Sequence, residues 1–146
     1  MDSIEVKSVG RQVDVSVHFA RLMQHMPAND NFKVQSFIDH VEQHGLIGLP
    51  GRLKCSTEVP TDDPCWLSKV TFARTWDLKH YHVGVPYWDY SKPQGDYTSE
   101  WVLHLRVPSQ DSETIIIVDW DSPPPFQLPK EQYFVTFDDT NPRPFR

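Results

Sequence analysis

At 146 residues the chain is long enough to bury one hydrophobic core and too short for two domains of ordinary size. Apolar residues at 38% and aromatics at 12% exclude a disordered polar chain. A net charge of −6, from 14 Lys and Arg against 20 Asp and Glu, argues against binding of naked nucleic acid by charge alone.

The opening reads as strands. Ile4, Val6 and Val9 alternate with polar residues, and Val13, Val15 and Val17 do so clearly, with a turn at Gly10-Arg11. The period then becomes helical. Phe19, Leu22, Met23 and Met26 share one face of a short helix that Pro27 stops. A second helix carries Val34, Phe37, Ile38 and Val41 at the same spacing and is capped by Gly45. These two helices are expected to form an antiparallel hairpin on one face of a sheet. Beyond Gly51 the chain becomes β-rich, with strands expected near Trp66–Trp76, Leu78–Val85, Thr98–Val107 and Thr114–Trp120. The run Ile115–Val118 suits a strand covered on both faces. A last candidate strand is Gln132–Phe137. The fold class predicted is α+β: a mainly antiparallel sheet with an N-terminal two-helix hairpin packed on one face. The whole chain, 1–146, is expected to form a single domain, with 122–146 as a Pro-rich acidic extension. From Asp111 onward there are seven acids against three bases.

Cys55 and Cys65 are too few for a disulfide framework and are expected to be free thiols. No stretch is apolar enough to span a bilayer, and the segment MDSIEVKSVG lacks the pattern of a signal peptide, so the expected location is cytoplasmic, with no membrane partner.

The sharpest chemical feature is Lys79-His80-Tyr81-His82. On a strand, His80 and His82 point to one face and Tyr81 and Val83 to the other. If this strand pairs with Thr98–Val107, matching the apolar faces gathers His80, His82, Glu100, His104 and Arg106 on the opposite side. Three readings suit such a face. It can be a solvated sheet surface. It can be a His-based metal site, since His-x-His with a third His on the next strand is acceptable geometry for zinc or iron. Or it can cleave RNA, because His, Lys and Arg together supply a general base, a general acid and cations for the phosphate. The connection Pro86–Tyr97 carries Tyr87, Trp88 and Tyr90, and exposed rings there would stack on unpaired bases. Asp119 and Asp121 share a face and suit either a divalent cation or, more commonly, a strand end opening into a turn. His18, His25, His40 and His44 read as surface or boundary residues. No phosphate-binding loop, dinucleotide fingerprint or Gly-x-Ser-x-Gly elbow is present.

The order strand, two helices, antiparallel sheet resembles the RelE/ParE superfamily of bacterial toxins. The residues Phe72-Ala73-Arg74, then His80-Tyr81-His82-Val83, then Trp101-Val102-Leu103-His104-Leu105 are similar to its YafO-type branch. The resemblance covers Phe32 to Trp120. It implies a toxin of a type II toxin–antitoxin system: a ribosome-dependent mRNA interferase, that is, an endoribonuclease that inhibits translation. Its partners would be a cognate antitoxin, the ribosome and mRNA. By position it implicates Arg74, His80 and His82. The face argument adds Lys79 and His104 to the catalytic set, with Lys69, Arg106, Trp88 and Tyr90 as substrate-binding residues. No metal and no cofactor is expected. The alternative class is a non-catalytic protein-binding module of phage or mobile-element origin.

Overall fold

The computed structural model describes residues 10–108 and 113–140, so the candidate strand at 4–9 lies outside the described residues. Strand β1 is Gln12–Val15. It is followed by helices α1, Val17–Gln24, and α2, Ala28–His44. Strand β2 is Leu53–Cys55 and helix α3 is Trp66–Thr75. Strands β3, Leu78–His82, β4, Val102–Arg106, and β5, Thr114–Asp121, complete the sheet. A 3-10 turn at Glu131–Phe134 and the single turn α4, Phe137–Thr140, follow. No helix among the described residues is long and apolar enough to cross a membrane.

The five strands run in the order β1-β5-β4-β3-β2. Three neighbouring pairs are antiparallel, but β1 runs parallel to β5. The sheet is therefore mixed. The chain leaves β1 through two helices and returns to it only at β5, and such a long crossover is what a parallel pair needs.

Both faces of this sheet are covered. On the first, Phe19 of α1 and Val34, Phe37 and Val41 of α2 join Tyr81, Val83, Leu103, Leu105, Ile115 and Ile117 in one buried cluster, with Ile38 and Trp101 packed against it. The apolar stripes therefore meet the sheet face that periodicity assigned to them. Each helix lies against its own strand, α1 on β5 and α2 on β1. Burial of each such aliphatic side chain stabilises the fold by about 1.5–3 kcal/mol.

The second face carries a smaller core of Ala73, Leu78, Val118 and Phe134, with Phe72, Trp76, Ile116, Leu128 and Tyr133 against it. Here two sequence expectations fail. Trp66–Trp76 is a helix, not a strand. Its Val, Thr, Phe and Trp content favours β structure, but Val70 and Ala73, three apart, are its buried positions, and only a helix presents them together. Asp63 starts it by accepting the Cys65 amide hydrogen at 2.7 Å. Gln132–Phe137 is not a strand either. It forms the 3-10 turn and the start of α4, where the Trp76 and Phe134 rings stack with centroids 4.4 Å apart.

Candidate functional site

The pairing of β3 with β4 places His80 directly opposite His104, with Lys54 of β2 beyond His80. On the other side His104 faces Asp119 of β5. A β-bulge brings this about. Leu105 pairs with Ile117 and His104 with Asp119, so Val118 is the extra residue. In a regular ladder Val118 would face His104 and Asp119 would turn to the first core. The row thus runs Lys54, His80, His104, Asp119 across four strands, with His82 one repeat along β3.

His18 completes the row from outside the sheet. Its Nε2 lies 2.9 Å from Oδ1 of Asp119, and its ring stacks on Tyr133 at 3.6 Å. Ser16 explains the placement. Its buried hydroxyl accepts the Phe19 amide hydrogen at 3.0 Å as the N-cap of α1 and donates to the Val118 carbonyl at 2.7 Å. The first turn of α1 is thereby fixed to the bulge, and His18 comes to rest over Asp119.

A solvated or substrate-binding face would be open to water. This one is roofed instead by the segment after β5 and by α3. The Phe126 ring centroid lies 6.5 Å from that of His80 and 5.7 Å from that of His82. His104 is 2% exposed and His82 8%. Neither ring nitrogen of His104 has a hydrogen-bond partner among the described residues, although the Gln127 main chain lies close. Burial, reinforced by the neighbouring His80, pushes the His104 pKa down to about 4. Burial does the same to His80, also to about 4, with His82 and Lys54 adding to the effect. Ser56 Oγ lies 3.1 Å from His80 Nδ1. Burial lowers His82 as well, partly opposed by the Ser99 carbonyl, 2.9 Å from Nδ1, which accepts a hydrogen bond from the protonated ring. All three rings are therefore neutral near pH 7. Asp119 is shifted the other way: burial raises its carboxyl, and the hydrogen bond with His18 pulls it part of the way back. Asp121 ends the strand as a turn, accepting the Ser122 amide hydrogen at 2.9 Å and the Gln127 amide hydrogen at 2.7 Å.

The remaining expected site residues do not join this row. Arg106 shares its face but lies over Trp76, 5.2 Å from the ring centroid. Lys79 points to the opposite face, in register with Cys55 and Leu105. Arg74, on α3, lines the same cleft as Lys79. Lys69 pairs with Asp63 at 2.6 Å. Tyr90 is 68% exposed, as expected of a stacking ring. Trp88 is not: it packs edge-on to Tyr81 at 6.2 Å and fills the space beside Gly51 and Gly84. Both cysteines are free thiols. Among the described residues no group of three or more His, Cys, Asp or Glu side chains is disposed to hold a metal ion.

Comparison with family models, with curated proteins and with solved structures finds no match for this chain. The functional reading therefore rests on the residues themselves.

Proposed function

We propose that this protein is a translation-inhibiting toxin of the RelE/ParE kind, an endoribonuclease that acts on ribosome-bound mRNA and is held in check by a cognate antitoxin. The observation that carries the reading is the row of His80, His104 and Asp119 on one sheet face, with His82 beside it and His18 on Asp119. The fold begins with a strand and two helices ahead of the remaining sheet strands, although α3 lies between β2 and β3 and the sheet is mixed.

Neutral His80 and His82 are fit to accept a proton from a ribose 2′-hydroxyl. His18, one quarter exposed and 2.9 Å from the Asp119 carboxylate, is the imidazole of the row most open to solvent and is assigned to return a proton to the leaving 5′-oxygen. His104, sealed between them, positions rather than reacts. Phe126 lies over His80 and His82, so full access of RNA to these rings requires it to shift on the ribosome. Free RNA meets a closed, net-negative protein.

The covered row equally favours a second reading, a non-catalytic protein-binding module whose histidines are buried polar core. Expression of the chain alone separates the two. A toxin arrests growth and protein synthesis, and co-expressed antitoxin relieves the arrest. Unimpaired growth at confirmed soluble expression would overturn the toxin reading and leave the binding module.

A further inference from the structure

A cleft of about 720 Å³ opens where β2 ends and β3 begins, away from the histidine row. Three cations from three separate elements line it: Arg11 just before β1, Arg74 at the end of α3 and Lys79 on β3. Asp77 is the single carboxylate among the lining residues. In a chain of net charge −6 this is a local reversal of sign. Among the described residues no ion pair engages Arg74 or Lys79, whereas Lys69 and Arg52 are each paired with an aspartate. The cleft wall also has an apolar part, made by Leu46, Leu53 and Val107. Its volume lies in the range of small-molecule sites.

We propose that this cleft binds a phosphorylated small molecule, its phosphate between Arg74 and Lys79 and its carbon body on Leu53 and Val107. Guanidinium groups match phosphate oxygens in a bidentate way, and a lysine adds a compact charge. A free anion in a concave site, rather than a long polyanion, suits the enclosure and the opposed charge of the rest of the chain. Cys55 borders the same cleft. Burial raises its thiol, but hydrogen bonds to Thr57, with a smaller contribution from Lys79 that Glu58 opposes, bring it below its ordinary value. The site is independent of the proposed RNA chemistry, because no residue of the histidine row lines it.

The test uses the full chain carrying Cys65→Ser, so that Cys55 is the one remaining thiol, with inorganic pyrophosphate as the probe. Calorimetric titration should show saturable binding, and bound pyrophosphate should slow alkylation of Cys55 by iodoacetamide. Lys79→Ala and Arg74→Ala, both outside the packed core, should each weaken binding by about tenfold. Lys92→Ala, in the distant loop, should leave it unchanged. Weakening by either cleft substitution supports the site. Absence of saturable binding at millimolar pyrophosphate, or binding that neither cleft substitution changes, overturns it.

Discussion

His18 and Asp119 stand 101 positions apart in the chain, yet Nε2 and Oδ1 meet at 2.9 Å. Their meeting depends on Ser16, which ties the start of α1 to the bulge in β5. Ser16→Ala removes a helix cap and leaves the Phe19 amide without its buried partner. It should cost about 1–2 kcal/mol of stability by urea denaturation. It should also weaken the His18–Asp119 contact, so the chemical shifts of the His18 ring in NMR spectra should change. Unchanged His18 ring shifts in a folded Ser16→Ala protein would show that the cap does not position the pair.

Periodicity made part of this arrangement legible. The alternation in Lys79–His82 and Leu103–Arg106, with the apolar faces matched, put His80, His82 and His104 on one face, because that placement depends on the parity of the pairing and not on its precise register. Gly45 marked the end of α2, where its φ of 66° is one that a residue with a β-carbon adopts only under strain. What periodicity could not reach was the roof. Nothing in Pro123–Phe126 signals that Phe126 folds back onto β3, because that contact is long-range and has no period. Neither could it give the bulge at Val118, which moves Asp119 into the row, nor the helix at Trp66–Thr75, whose residues favour strands until their burial spacing is known.

Acid should destabilise the protein in a defined window. His80 and His104 titrate near 4 in the folded state and near 6.5 when unfolded. The unfolded chain therefore binds more protons between those values, and stability falls as pH drops from about 6.5 to about 4. Asp119 acts oppositely: with a raised pKa, its contribution is greatest in acid and is lost as pH rises through that value. Urea midpoints between pH 7.5 and 4 should show the net decline. His104→Leu should reduce it, and at pH 7 it should leave stability equal or about 1 kcal/mol higher, because it removes two buried nitrogens that lack a hydrogen-bond partner among the described residues. A steep loss of stability at pH 7 in His104→Leu would contradict this.

Gly51 is fixed by its surroundings. A β-carbon there would sit 2.1 Å from the His82 carbonyl oxygen and 2.6 Å from the Trp88 ring. Gly51→Ala should cost about 2–3 kcal/mol and displace Trp88, which near-ultraviolet circular dichroism will register. Gly84→Ala should be at least as damaging, because Gly84 has a φ of 84° and its added carbon would lie 2.4 Å from Trp88. A wild-type spectrum in either variant would show that Trp88 is not packed against these glycines.

Phe126 is the cover of the row, so Phe126→Ala should expose it. Modification of His80 and His82 by diethyl pyrocarbonate, located by mass spectrometry, should be slow in the wild type and faster in Phe126→Ala. The exposed His25 serves as an internal reference in both. Equal rates in the two proteins would place the cover elsewhere.

The proposed chemistry is tested most directly by primer extension on mRNA from translating ribosomes, with the wild type, His80→Ala, His82→Ala and His18→Ala, each confirmed as folded by circular dichroism. The wild type should cut ribosome-bound message and leave the same RNA intact when it is free. Each substitution should slow cleavage by about 10²–10⁴-fold if the ring transfers a proton. Cleavage at wild-type rate in all three variants, or no cleavage of any message by the wild type, would contradict the assignment of the histidine row as a catalytic site.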